Sequence, residues 1–140
     1  MDKDLFENIN IWNQLGFLVT YDIVNQIENG SYRNTHSESQ SLFTYTFYIT
    51  PYGKDYIFNY SVDDLLEGYE TCLEWLASHK SDLLEEHLSE YLEDYNYLLS
   101  NNRVEVHSYE SENTLKYLLA LEGIYNIDID YKFDSCVIEL

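Results

Sequence analysis

LFTYTFYITPYGKDYIFNYSVDDLLEGYETCLEWLAS, residues 42 to 78, changes its hydrophobic period partway along. As far as Tyr60 it is rich in aromatic and β-branched residues, the composition of strands. Pro51-Tyr52-Gly53-Lys54 separates Leu42–Thr50 from Asp55–Tyr60 and places Pro and Gly where a turn needs them, which predicts a hairpin. From Ser61 onward Val62, Leu65, Leu66, Tyr69, Leu73 and Leu76 recur at helical spacing, and Ser61 with Asp64 three residues later has the form of a capping box. Strands that give way to helices define an α+β protein.

Towards the N-terminus, Leu5, Phe6, Ile9, Trp12 and Leu15 predict an amphipathic helix over Asp2–Leu15, stopped at Gly16. Phe17–Ile27 has strand composition, so three consecutive strands are expected in an antiparallel meander whose solvent face is largely Tyr and Thr. Glu28–Gln40, ENGSYRNTHSESQ, has turn composition and is expected to be a surface loop. Towards the C-terminus, Ser78–Ser81 links to a second helix ending near Ser100, with Leu84, Leu88, Tyr91, Tyr95 and Leu98 on one face. The two helices are expected to form an antiparallel hairpin packed on the sheet. Arg103–Tyr109 alternates like a strand, with Val104 and Val106 inward. Ser111 caps a short helix carrying Leu115, Leu118 and Leu119 inward, and Gly123 ends it. Ile127–Phe133 alternates apolar with mostly acidic residues and is expected to bury one face, and Cys136–Leu140 continues it past a turn near Asp134-Ser135. The expected whole is one α+β domain over residues 1–140. Its antiparallel sheet, meander plus C-terminal strands, packs against an acidic helical hairpin and short flanking helices.

Composition narrows the function. Hydrophobic residues make up 45% of the 140, enough for a core, so the chain is not a disordered acidic tail. The net charge is −19, from 26 acids against seven bases, and self-repulsion of that size opposes folding. Nucleic-acid or anionic-membrane binding calls for a basic patch that seven scattered cations do not make, whereas a basic protein is a fitting partner. Cys72 and Cys136 stand among apolar residues without a CxxC, the N-terminus lacks the pattern of a secretory signal, and no run is apolar enough to cross a membrane. A cytoplasmic location is the expectation.

The charge is concentrated. Residues 61–100 hold eleven acids and one base, Lys80. Asp63, Glu67, Glu70 and Glu74 fall at steps of four, three and four, so on a helix rising 1.5 Å per residue they form a row with contacts about 5 to 6 Å apart. Asp82, Glu86, Glu90 and Glu93 repeat the arrangement, with Glu85 and Asp94 alongside. Solvated helices ordinarily interleave Glu with Lys at i,i+4, each pair stabilising by a few tenths of a kcal/mol. Here the cations are missing. Regularly spaced carboxylates resemble the charge pattern of a nucleic-acid backbone and suit the same basic channel. Tyr91 and Tyr97 are candidate aromatic anchors beside them.

Catalysis has no recognisable constellation: GxGxxG, GxxxxGK[ST], HExxH, GxSxG and EF-hand spacings are all missing. His36, His79, His87 and His107 make no metal-binding pair, and Asp63-Asp64 and Asp128-x-Asp130 are explained by capping and by a solvated strand face. No cofactor or metal is expected, and the chain is not expected to be an enzyme. Small size, extreme acidity, aromatic richness and the missing motifs are together similar in type to proteins that inhibit nucleic-acid enzymes. The expected function is that of a nucleic-acid mimic, a phage or mobile-element protein acting against CRISPR or restriction effectors. The alternatives are an immunity protein or antitoxin capping a nuclease toxin, and a structural protein that self-associates through its Tyr-rich sheet.

Overall fold

A computed structural model describes residues 3–25 and 43–140, and the loop expected over Glu28–Gln40 lies outside them. The chain is α+β and falls into two compact units, Met1–Ile9 with Gly16–Ser78 and Asn10–Leu15 with His79–Leu140. Helix α1 (Lys3–Gln14) begins in the first unit and ends in the second. Leu5, Ile9 and Trp12 of the helix and Leu15 just after it are buried at the expected spacing, together with Ile11, while Phe6 is half-buried.

In the first unit β1 (Phe17–Asn25), β2 (Phe43–Pro51) and β3 (Phe58–Val62) form the expected antiparallel meander, in the order β1-β2-β3. Phe17 pairs with Pro51, and Gly16 (φ +97°) and Gly53 (φ +74°) adopt the left-handed backbone that the adjoining turns require. Phe47 and Ile49 of β2 are fully buried, while Thr44, Thr46, Tyr48 and Thr50 on its other face are half-buried. The alternation is what a strand with one packed face must show.

Helix α2 (Leu65–Ser78) covers the packed face with Gly68, Cys72 and Leu76, all buried at steps of four. The Phe47 ring lies so close to Gly68 that a Cβ there would stand 1.9 Å from Cε1, so only glycine lets the ring meet the helix backbone. Tyr69 continues the contact: its ring centroid is 5.1 Å from those of Phe6 and Phe47 and 6.2 Å from that of Tyr21, in edge-to-face geometry. Trp75 stacks on Phe58 at 4.9 Å. The N-cap is Asp64, whose Oδ1 accepts the Leu66 N–H at 3.1 Å, rather than Ser61. Strand β3 runs on to Val62, and Ser61 sits within it, its hydroxyl 3.0 Å from that of Thr46.

The second unit holds α3 (Lys80–His87), α4 (Ser89–Asn101), β4 (Arg103–Val106), α5 (Tyr109–Leu121), β5 (Asp128–Tyr131) and β6 (Cys136–Glu139). The helix expected over 81–100 is broken at Leu88, whose φ of −127° and ψ of 22° leave the helical region although its N–H still reaches Leu84. Leu84, Leu88, Tyr95 and Leu98 are buried, so the apolar spacing runs through the break and conceals it. The C-terminal strands form a sheet of their own, antiparallel in the order β4-β6-β5. Central β6 buries three consecutive residues, Cys136, Val137 and Ile138, as a strand covered on both faces does. Helix α5 starts two residues earlier than Ser111, capped by Ser108, whose Oγ accepts the Ser111 N–H. Strand β5 lacks the buried face expected of it: Ile129 is half-buried and Tyr131 exposed.

Candidate partner-binding surface

The packing that buries Gly68, Cys72 and Leu76 turns the opposite side of α2 to solvent, and Glu67, Glu70 and Glu74 are exposed there. Asp63 is exposed as well, but it precedes the first helical residue and so does not continue the helical row. Residues 55–79 contain no Lys or Arg. Within this unit Glu70 and Glu74 join Asp4 of α1 in lining an open groove of about 300 Å³, with Leu5, Asn8 and Leu73. Asp4 was missed because its helix was read only for its apolar face. One turn of α1 spaces it from Asn8, whose side-chain amide donates to the Asp4 carbonyl at 2.8 Å.

In the second unit Leu83 and Leu84 are the buried residues of α3, leaving Asp82, Glu85 and Glu86 exposed. Tyr95 and Leu98 are buried on α4, with Glu90 and Glu93 exposed and Asp94 half-buried. Residues 81–102 again contain no Lys or Arg. Lys80, the only base between 61 and 100, is ion-paired with Glu122 just beyond α5. The break at Leu88 falls between Glu86 and Glu90, so the second row is divided between two helices. The row on α2 belongs to one compact unit and the row on α3–α4 to the other.

The two candidate anchors differ. Tyr97 is 56% exposed and available. Tyr91 is half-buried, and its hydroxyl is held above the usual tyrosine range by burial and by the Glu90 and Glu110 carboxylates.

A further cluster went unseen in the sequence. Glu112 of α5 is 6% exposed, accepting from the Tyr131 hydroxyl at 2.7 Å and, more weakly, from the Cys136 thiol at 3.7 Å. Its carboxylate raises the Tyr131 hydroxyl, and burial followed by the same carboxylate raises the Cys136 thiol. The available signal was the placement of Glu112 three and seven residues before Leu115 and Leu119, on the apolar face of α5. Among the described residues no group of three or more His, Cys, Asp or Glu is arranged to hold a metal ion, and no helix is long and apolar enough to cross a membrane.

Taken together, these features define an α+β protein whose two units each carry exposed carboxylates on helices poor in Lys and Arg. Comparison with known protein families, with curated proteins and with solved structures finds no match to this chain.

Proposed function

We propose that this protein is a non-catalytic, cytoplasmic inhibitor that binds a basic nucleic-acid enzyme where nucleic acid would bind, in the manner of an anti-CRISPR or anti-restriction protein. The observation that carries the proposal is the exposure of nine of the ten expected carboxylates, all but Asp94, on residues 63–94, where Lys80, ion-paired with Glu122, is the only Lys or Arg. Like charges at helical spacing destabilise by a few tenths of a kcal/mol per pair, so their retention points to use by a partner. A basic channel meets this surface with opposite charge, which accelerates association and makes it sensitive to salt over a screening length of about 10 Å at 0.1 M. Glu70 and Glu74, with Asp4 beside them, offer a groove for a basic side chain; Tyr97 supplies exposed aromatic area.

The test is inhibition of a panel of RNA-guided and restriction nucleases by the purified protein, with nucleic acid as competitor. Inhibition is expected to be competitive with DNA or RNA, to weaken steeply with salt, and to disappear when Glu70, Glu74, Glu86 and Glu90 are all changed to Lys. Inhibition that survives the reversal would refute the assignment to these helices. One observation favours a rival: β1 is an edge strand among the described residues, with Leu18, Ile23 and Val24 exposed along it. Self-association through that edge would show as a concentration-dependent, salt-insensitive increase in sedimentation coefficient.

A further inference from the structure

The second unit contains an open pocket of about 260 Å³ where the start of α5 faces the β5–β6 hairpin. Lys132 N–H donates to the Ser135 carbonyl at 2.8 Å, so Phe133 and Asp134 form the two-residue tip. Phe133 is fully exposed, and Tyr109 and Tyr131, which line the pocket with it, are 75% and 66% exposed. Three solvent-facing aromatic rings around one depression, on a protein this charged, form an apolar patch of the kind that marks an interface. Buried Glu112 lines the same pocket, and its hydrogen-bond partners Tyr131 and Cys136 are both neutral. A carboxylate offers about four acceptor sites, so two remain after these bonds.

We infer that this pocket receives the guanidinium of an arginine side chain from a basic partner. The inference rests on the proposed function for the identity of the partner and goes beyond it in naming a recognition site. Aromatic faces attract a cation through their quadrupole, and arginine both stacks on rings and pairs with a carboxylate. The other charges at the pocket leave this preference in place. Lys132 Nζ turns to Glu105, 3.8 Å away, and Asp134 adds negative charge at the rim. The positive end of the α5 dipole is met by Glu110 and Glu112 in its first turn and by the Ser108 cap. His107 is exposed on the approach to the pocket.

The probe is N-acetyl-arginine methylamide, titrated into the full-length isotope-labelled protein and followed by NMR, with the citrulline analogue as its neutral isostere. Arginine is expected to shift the resonances of Tyr109, Tyr131 and residues 132–136 with a dissociation constant on the order of 1–10 mM, about tenfold tighter than citrulline. Phe133→Ala, at a fully exposed tip, should keep the fold and weaken arginine about threefold. Glu112→Gln should remove the preference for arginine over citrulline. Equal shifts by the two probes, or no pocket shifts at all at arginine concentrations on the order of 100 mM, would overturn the inference. The probe needs no nuclease, so its result separates from that of the helix-reversal experiment. A Glu70, Glu74, Glu86 and Glu90 to Lys variant that still takes arginine would leave the pocket standing whatever happens to inhibition.

Discussion

The two units carry nearly the same formal charge, −9 and −10, yet they handle it differently. In the first, the acids of α2 face solvent while the interior is aromatic and apolar, with Phe6, Tyr21, Phe47 and Tyr69 meeting ring to ring. In the second, carboxylates enter the structure itself: Glu112 is buried under Tyr131, Glu105 accepts from Ser135 at 2.7 Å, and Glu122 holds Lys80. An acidic sequence therefore contains two kinds of acid, those that the fold consumes and those that it leaves on the surface. Charge alone does not tell them apart; packing does.

Gly68→Ala is expected to have the largest effect and bears directly on whether the units are separable. The added methyl would meet a fully buried Phe47 ring at 1.9 Å, so the ring or the helix must move, at a cost of about 3 kcal/mol. Each unit has its own reporter, since Cys72 lies on α2 and Cys136 on β6, and both are buried. Burial pushes the Cys72 thiol up to about 11, so at neutral pH it is inert until its surroundings open. In the variant Cys72 is expected to react with a thiol reagent well before Cys136, as read by mass spectrometry of alkylated peptides. Simultaneous reaction would show that the chain opens as one cooperative domain.

The counterpart in the second unit is Glu112→Ala, which removes the acceptor of a part-buried hydroxyl bond and leaves a small void. The expected loss is about 1–3 kcal/mol in denaturant unfolding, accompanied by faster alkylation of Cys136 while Cys72 stays protected. Tyr131→Phe keeps the ring, and because Tyr131 is largely exposed its cost should be smaller, about 1 kcal/mol. If both substitutions were neutral, Glu112 would belong with the surface acids and the distinction between consumed and surface carboxylates would fail.

Reversing exposed carboxylates should leave stability nearly unchanged. Glu70→Lys with Glu74→Lys on the first unit, and Glu86→Lys with Glu90→Lys on the second, are each expected to shift unfolding by no more than about 0.5 kcal/mol per residue, in the stabilising direction where like charges are relieved. Measured separately against the same nuclease, the two pairs show which unit carries the contact. Loss of inhibition from one pair alone would assign it to that unit.

How much of this was legible in the sequence follows the range of the interactions involved. The meander could be read because turn chemistry and alternation are local, and Pro51-Tyr52-Gly53-Lys54 carries both. The outward placement of Glu67, Glu70 and Glu74 follows from the helical period once the apolar face is known. What stayed hidden depends on contacts distant in sequence. The bend at Leu88 preserves the apolar spacing, the separation of the C-terminal strands into their own sheet depends on β6 pairing with both β4 and β5, and Gly68 reads as a weak helix residue until Phe47 is placed against it. The pocket around Glu112 unites α5 with a hairpin about twenty residues further on, which periodicity within either segment cannot report.

The smallest expected effect concerns Glu105 and marks the boundary between the two kinds of acid. It is exposed, yet the Ser135 hydroxyl bond, followed by the Lys132 charge, holds its carboxyl below the ordinary value of 4.5. A depressed folded pKa means that the folded state favours the ionised form, so this contribution to stability is present above the ordinary carboxylate range and is lost as pH falls through the lowered value. An NMR titration of the Glu105 side-chain carbonyl should therefore have its midpoint below the ordinary value of 4.5, and the Ser135 resonances should move in the same step. Ser135→Ala should return the midpoint most of the way, and Lys132→Gln less, because the hydrogen bond is the larger cause. A larger return from Lys132→Gln would mean that charge, rather than the hydroxyl, orders the β5–β6 hairpin.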